Sequence, residues 1–179
     1  MPKGSATKST EAKPSRRTAK KKPHEEKVRV LLVFPPDILE KPSVVLTAKQ
    51  WLQKGGLDLK AAEVNQVAWP EAWEGPSHGP QRIPQLIDHK DLLQRYLLEH
   101  EPQVLVFFSS VLWEAFEGVD ASLEWKSPLE RGHSLLDGRL KTWIQRRSAG
   151  VVIGLPVPSR VTNESWTQDL IKALQSVFK

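Results

Sequence analysis

The sequence predicts an α/β fold in which a four-stranded, mainly parallel sheet carries helices on both faces and follows a disordered basic tail. Short apolar runs of about five residues alternate with segments whose apolar residues recur at helical spacing. Parallel strands need crossover connections, and this alternation supplies a helix for each of them. We therefore expect one three-layer domain over residues 28–179, after a tail over residues 1–27.

The tail differs from the rest of the chain in charge and composition. The chain has 179 residues and a formal net charge of +5, of which residues 1–27 contribute nine basic and three acidic groups, a net of +6. The remainder carries 17 basic and 18 acidic groups, a net of −1. With little apolar surface to bury, such a tail is expected to be disordered. It either solubilises the protein or binds nucleic-acid phosphates, through Lys13, Arg16, Arg17, Lys20, Lys21 and Lys22.

Composition also excludes several classes of function. The chain has no cysteine, which rules out disulfides, thiolate metal sites and cysteine nucleophiles and favours the cytoplasm as its compartment. It has no apolar run long enough to cross a membrane, and because no apolar segment follows its first lysines we expect no secretory signal. No GxGxxG or P-loop is present, and the five histidines lack metal-ligand spacing. We expect no cofactor, no metal, no membrane association and no small-molecule substrate.

The first half of the domain predicts two strands around one helix. Residues 28–34 (VRVLLVF) form a continuous apolar run that two prolines stop, as expected of a strand covered on both faces. Residues 43–56 (SVVLTAKQWLQKGG) have helical periodicity and end at a pair of glycines. Residues 62–69 (AEVNQVAW) predict the second strand, and a loop rich in proline and glycine follows.

The next segment predicts a helix, a strand and a short helix in that order. An apolar stripe (Leu92, Leu93, Tyr96 and Leu97) indicates a helix that ends before Pro102. Residues 103–110 (QVLVFFSS) predict the third strand. The short helix that follows has Ser109 or Ser110 in position to cap its first turn.

The C-terminal part predicts one more strand and a closing helix. The sequence before it is ambiguous, and a helical turn is expected around residues 138–146. Residues 151–155 (VVIGL) predict the fourth strand. The closing helix over residues 162–179 has Ser165 and Gln168 as a possible capping box.

In parallel sheets, ligands bind outside the carboxyl ends of the strands. The segments that follow the four predicted strands are therefore the candidate site: residues 34–37, 69–71, 109–110 and 155–160. The last of these, LPVPSR, is a stiff loop because two prolines flank Val157.

The order and spacing of these elements over residues 28–179 resemble the uracil-DNA glycosylase superfamily. The similar features are a first strand ending in a Pro loop, a helix ending GGLDL, a strand with Asn before Trp-Pro, then EHEPQVLVFFSSVLWEAF, VIGLPVPSR and a final helix. The first motif of that family has a polar residue that positions water, and here Phe34 or Pro35 takes its place. Its last motif has a histidine before Pro-Ser, and here that position is Val157. The resemblance therefore implies that both catalytic positions are lost.

A divergent DNA glycosylase is the alternative, with two candidate catalytic residues. Asp37 can in principle orient a water molecule, and Asn65 lies where the family has an asparagine that pairs with a base edge. Structural roles are favoured for both: a loop aspartate that turns the chain after two prolines, and a strand asparagine that satisfies local backbone groups.

Within this fold, the chain also resembles the non-catalytic psi subunits of the bacterial DNA polymerase III clamp loader. The similar stretches are VRVLLVFPPDILEKPSVV, WPEAW and LPVPSRVTNESWTQDLIKAL. This resemblance implies a DNA replication adaptor that joins the clamp-loader subunits to the chi subunit, which binds the single-stranded-DNA-binding protein. One feature departs from it: psi docks on the clamp loader with an N-terminal peptide that has apolar and Trp anchors, and residues 1–27 have none.

Seven tryptophans give separate support for a contact role, because Trp is enriched in interface hot spots. Three of them (Trp51, Trp143 and Trp166) fit helix faces, and at least Trp51 and Trp166 are expected in the core. Four lie in or beside predicted loops or the short helix and are candidate partner contacts, or platforms for stacking single-stranded bases: Trp69, Trp73, Trp113 and Trp125.

Overall fold

The computed structural model describes Gly4 and residues 25–76 and 78–179. The predicted tail and its candidate phosphate contacts lie outside these residues, apart from Gly4 and the exposed residues 25–27. The strands of the described part are β1 (Arg29–Phe34), β2 (Glu63–Ala68), β3 (Val104–Phe108), β4 (Trp143–Arg147) and β5 (Gly150–Leu155). Its α-helices are α1 (Pro36–Leu39), α2 (Pro42–Lys54), α3 (Ile83–Asp88), α4 (Lys90–His100), α5 (Ser110–Val119) and α6 (Glu164–Phe178).

All five strands belong to one mixed sheet with the order β2-β1-β3-β5-β4. The pairs β2–β1, β1–β3 and β3–β5 are parallel, and β4 pairs antiparallel with β5. The prediction of an α/β fold with a mainly parallel sheet is confirmed. The prediction of four strands is wrong, because β4 adds a fifth at one edge.

Helices cover both faces of the sheet, as alternate residues of β1 demonstrate. Val30 and Phe34 belong to a hydrophobic cluster with residues of α2 and α6, whereas Leu31 and Val33 belong to a second cluster with residues of α4 and α5. Because successive side chains of a strand point to opposite faces, the two clusters lie on opposite sides of the sheet. This explains why β1 is a continuous apolar run.

The strand β4 corrects the helical turn predicted around residues 138–146. Trp143 also lies on this strand and not on a helix face, and its ring packs edge-on against Phe116, with 6.3 Å between ring centroids. The sequence WIQRR misleads because Gln145 and Arg147 are polar, yet both are buried in the strand. Hydrogen bonds to other groups compensate for their burial.

The side chain of Arg147 is only 3% exposed and donates four hydrogen bonds. Its Nη1 and Nη2 donate to the two carboxylate oxygens of Asp120 at 3.0 and 2.8 Å. Its Nε donates to the Lys126 carbonyl at 2.6 Å, and Nη1 also donates to Gln145 Oε1 at 2.7 Å. The guanidinium lies 5.0 Å from the Trp125 ring centroid. Arg147 thus joins β4 to the segment that follows α5.

The two edges of the sheet differ in how they are covered. On the outer side of β4, single β-bridges join Pro128 to Arg147 and His133 to Ile144. The chain between α5 and β4 therefore folds back along this edge. The opposite edge is formed by β2.

Two predicted caps differ from the structure. The N-cap of α6 is Asn163, whose Oδ1 accepts hydrogen bonds from the backbone N–H groups of Ser165 at 2.9 Å and Trp166 at 3.4 Å. The predicted Ser165–Gln168 capping box is therefore wrong. Ser109 stands at the N-cap of α5, but its side chain makes no capping hydrogen bond.

Candidate functional site

A small polar cleft lies at the carboxyl ends of β1, β3 and β5. Its volume is about 200 Å³. Each of these strands is followed by residues that line it, which is where the topology of a parallel sheet predicts a ligand site. The polar lining residues are Asp37, Lys41, Arg82, Ser109, Ser159 and Arg160.

Three side chains form one wall of the cleft. Trp73 Nε1 donates a hydrogen bond to Asp37 Oδ1 at 2.8 Å. Arg82 Nη1 lies 3.9 Å from the same oxygen, and its guanidinium carbon lies 4.3 Å from the centroid of the Trp73 ring. Because Trp73 and Arg82 belong to the long loop after β2 and to the turn before α3, these contacts hold that loop against the end of β1.

Further hydrogen bonds hold the loop after β2 against α3 and the residue that precedes α4. Trp69 is fully buried, and its Nε1 donates to the carbonyl of His89 at 3.0 Å. Glu74 and Gln85 exchange two hydrogen bonds between the Glu74 backbone and the Gln85 amide, at 3.2 and 2.7 Å. The wall that carries Trp73 is therefore anchored to the helices of one face.

The opposite wall is the predicted stiff loop. Val157 is 5% exposed and lines the cleft, and the N–H of Arg160 donates to the Val157 carbonyl at 3.0 Å. Residues Pro158–Arg160 form a 3₁₀ turn that directs Ser159 and Arg160 to the cleft. An isopropyl side chain has no hydrogen-bond donor. At Val157 the cleft thus offers only an apolar surface.

Of the two candidates for the water-positioning place, only one reaches the cleft. Pro35 lines it, whereas Phe34 is fully buried and stacks on Phe108, with 4.7 Å between ring centroids. Neither side chain carries a polar group. Residues 34 and 35 therefore bring no polar side chain to the cleft.

Positive charge is concentrated in the cleft. Three cationic side chains and one carboxylate line it, a local net charge of +2, although residues 28–179 together carry −1. Asp37 lies near Arg82. In the part of the chain that the structure describes, no carboxylate lies within ion-pair distance of Lys41 or Arg160. The cleft is thus suited to an anion.

A second recess adjoins the cleft. Its volume is about 160 Å³, and it shares Ser109, Val157 and Arg160 with the cleft. It extends to Lys141, which forms an ion pair with Glu114. Arg160 thus borders both spaces.

The two predicted catalytic residues are not brought together. Asp37 lines the cleft, but Asn65 lies in the middle of β2, where it is in register with Leu31. Asn65 is not among the residues that line the cleft. The Asp37 carboxylate is engaged by Trp73 and Arg82, as described above.

The structure divides the four tryptophans proposed as contact residues. Trp69 and Trp113 are 0% and 3% exposed, so they are core residues, and their assignment to a contact surface is corrected. The apolar strands and helices around these two side chains bury them, although the sequence places them beside loops. Trp73 and Trp125 are partly exposed. Trp125 packs near Arg147, and its Nε1 is buried without a hydrogen-bond partner among the described residues.

Sequence reasoning did not assign a role to the cations of the cleft. Lys41, Arg82 and Arg160 are far apart in sequence, and the sheet topology brings them to one edge. Arg160 was within the segment after the last predicted strand, and Lys41 follows Asp37 by four residues. Counting charges in the segments after the strands would have found Arg160, and extending the first segment by four residues would have added Lys41, whereas nothing local indicates Arg82.

Searches for metal-binding groups, for membrane-spanning helices and for similar proteins gave three negative findings. Across residues 25–76 and 78–179, no group of three His, Asp or Glu side chains is arranged to hold a metal ion. No helix in the same residues combines the length and apolar character that crossing a membrane requires. Comparison with models of known protein families finds no match for this chain, and comparison with curated proteins finds none either.

Proposed function

We propose that this chain is a non-catalytic accessory protein of DNA replication in the cytoplasm. Its role is that of a psi-like adaptor, which links the clamp loader of DNA polymerase III to the chi subunit and the single-stranded-DNA-binding protein. The observation that carries the non-catalytic part is Val157, whose apolar side chain lines the cleft where a glycosylase needs a donor. The adaptor role rests on the resemblance over residues 28–179.

The chemistry of base excision supports the non-catalytic assignment. Cleavage of an N-glycosidic bond leaves negative charge on the departing base, and one preorganised donor to such charge contributes about 3–4 kcal/mol to transition-state stabilisation. Val157 has nothing to donate. Asp37, the candidate for orienting water, accepts from Trp73 at 2.8 Å and lies 3.9 Å from Arg82. Asn65, the other candidate, lies outside the cleft lining.

The contacts with partners are assigned to the folded domain. The tail has no apolar or Trp anchor of the kind psi uses on the clamp loader. Trp73 and Trp125 remain the predicted partner contacts, since both keep exposed surface. A large, rigid aromatic side chain loses little conformational entropy when a partner covers it.

Co-purification tests the proposal. The tagged full chain is mixed with purified clamp-loader subunits and chi from the same organism, and we expect stable complexes at micromolar concentration. Trp73→Ala and Trp125→Ala should each weaken capture about tenfold, as expected for hot-spot residues. Leu98→Ala, which truncates an exposed apolar side chain on α4, is the matched control and should leave capture unchanged.

A glycosylase assay provides the contrary outcome. The full chain is incubated with oligonucleotides that contain deaminated or damaged bases, and we expect no abasic sites. Base release that disappears in Asp37→Ala would replace the adaptor proposal with the divergent glycosylase. Recovery of nucleic acid without any clamp-loader subunit or chi would also contradict the adaptor role.

A further inference from the structure

We propose that the cleft at the carboxyl ends of β1, β3 and β5 binds a phosphomonoester. Its sources are the terminal phosphate of a nucleic-acid strand and the phosphate of a free mononucleotide. This ligand differs from the neutral base that the glycosylase resemblance would place there. The inference is independent of the adaptor role, because it depends on the cleft alone.

The charge of the cleft matches that of a phosphomonoester. The lining contributes Lys41, Arg82 and Arg160 against Asp37, a net of +2. A phosphomonoester carries about −1.5 to −2 charges at neutral pH, so it neutralises this lining almost completely. A phosphodiester carries about one charge, and a neutral base carries none, so both would leave cationic side chains unpaired in the cleft.

The hydrogen-bonding groups of the cleft also favour a phosphate. Lysine and arginine supply only donors, and a phosphate group supplies only strong acceptors at neutral pH. Ser109 and Ser159 add two hydroxyl groups to the lining. The Ser109 side chain makes no capping hydrogen bond to α5. These groups match the oxygens of a phosphate better than the mixed donor and acceptor edge of a base.

The carboxylate of Asp37 does not oppose this assignment. Its Oδ1 accepts from Trp73 Nε1 at 2.8 Å and lies 3.9 Å from Arg82 Nη1. These contacts offset its charge and orient it on the wall that carries Trp73. Lys41 and Arg160, without a carboxylate at ion-pair distance among the described residues, are the cations most available to a ligand.

The volume of the cleft is suited to a small ligand. Sites for drug-sized ligands have volumes of about 300–1,000 Å³. The cleft, at about 200 Å³, is smaller and suits a phosphate with part of its sugar. The adjoining recess of about 160 Å³ shares Arg160 and Ser109 and leaves room for the rest of that nucleotide.

The experiment compares labelled single-stranded oligonucleotides of one sequence that carry a 5′-phosphate, a 3′-phosphate or no terminal phosphate. Affinity for the full chain is measured by fluorescence anisotropy at fixed salt. All three strands present the same sequence and internal phosphates to the protein, so the ratio of affinities isolates the contribution of the terminal phosphate. We expect the phosphate at one end to increase affinity about tenfold, as one charge-assisted hydrogen bond would.

Paired charge variants locate the effect. The double variant Lys41→Gln, Arg160→Gln should reduce the affinity ratio to about one. The matched control is Lys54→Gln, Lys172→Gln, which removes the same charge from exposed positions outside the cleft lining and should keep the ratio. All four substituted residues are exposed, and unfolding midpoints check that both variants fold.

Competition with a 5′-mononucleotide distinguishes the two sources. Displacement of the phosphorylated strand at similar concentrations assigns the site to free mononucleotides, and its absence assigns the site to strand ends. The proposal is overturned if terminal phosphates at both ends leave affinity unchanged and the mononucleotide does not bind. It is also overturned if the control pair loses the ratio as fully as the cleft pair.

Discussion

Arginine meets aspartate beside a tryptophan in two regions of this protein. In the cleft, Arg82 and Asp37 approach through one pair of atoms at 3.9 Å, and their side chains are 21% and 49% exposed. At the β4 edge, Arg147 and Asp120 form two hydrogen bonds of 2.8 and 3.0 Å, and their side chains are 3% and 19% exposed. The residue types are the same, but the number of bonds and the burial differ.

The difference separates a structural ion pair from a binding surface. At the β4 edge, Arg147 also donates to Lys126 and Gln145, so its hydrogen-bonding capacity is used within the fold. In the cleft, two more cations line the same space without a carboxylate at ion-pair distance in the described chain. A buried guanidinium with four hydrogen bonds inside the protein organises the chain, whereas an excess of exposed charge is suited to an external anion.

Arginine truncation in the two regions gives the largest expected contrast. Arg147→Ala leaves a partly buried carboxylate without its partner, so we expect the free energy of unfolding to fall by about 3–5 kcal/mol. The Arg82–Asp37 pair is longer and its carboxylate is exposed, so its loss in Arg82→Ala is expected to contribute less, about 0.2–1 kcal/mol. Urea unfolding monitored by tryptophan fluorescence measures both losses.

A double variant sharpens this test. Adding Asp120→Ala to Arg147→Ala removes the carboxylate that the single change leaves unpaired, so part of the lost stability should return. Equal losses for Arg82→Ala and Arg147→Ala would show that the proposed distinction between the two regions is wrong.

Behind the cleft, a glycine substitution tests how tightly the core approaches it. A Cβ atom on Gly154 of β5 would lie 2.5 Å from Cδ2 of the buried Trp113 ring, so Gly154→Ala should cost about 1–3 kcal/mol in unfolding free energy. Gly118→Ala is the control, because its nearest neighbour would be Ile87 Cδ1 at 3.8 Å and alanine favours the α5 helix by about 0.5–1 kcal/mol. Chemical unfolding of both variants checks the opposite signs. A neutral result for Gly154→Ala would contradict the close packing described behind the cleft.

The smallest expected effect concerns Glu117 on α5, near the β4 edge. Partial burial, followed by the charge of Glu114, raises the pKa of the Glu117 carboxyl above its ordinary value. The folded state therefore holds this proton more tightly than the unfolded state, and stability is lost as the pH rises through the raised pKa. Glu117→Gln does not titrate, so its stability relative to the natural chain should increase from acidic to neutral pH. Unfolding midpoints over this pH range measure the change. If the unfolding midpoints of Glu117→Gln and the natural chain change equally with pH, the prediction for Glu117 is wrong.

Sequence patterns predicted the four parallel strands, because β1, β3 and β5 are short apolar runs and β2 (EVNQVA) has two valines before a loop rich in proline and glycine. They failed at β4, where Gln145 and Arg147 obscure the apolar pattern and are buried through hydrogen bonds to distant groups. They also placed Trp69 and Trp113 on a contact surface, because a loop or a short helix in sequence gives no measure of burial. Tertiary packing determines the burial of all four of these residues.

The location of the candidate site was predictable, but its charge was not. The rule that ligands bind after parallel strands identified the segments of Asp37, Ser109 and Arg160, which line the cleft. The same rule does not report how many cations meet there. Arg82 reaches the cleft from the turn before α3, so only the folded chain reveals it.

The bridges that Pro128 and His133 make to β4 bear on self-association. Fibres that grow by adding strands need two open edges on every molecule, one to receive and one to offer. The chain between α5 and β4 already occupies one edge, and its Pro128 has no N–H for a further ladder. Strand pairing between copies is therefore expected at the β2 edge of the sheet.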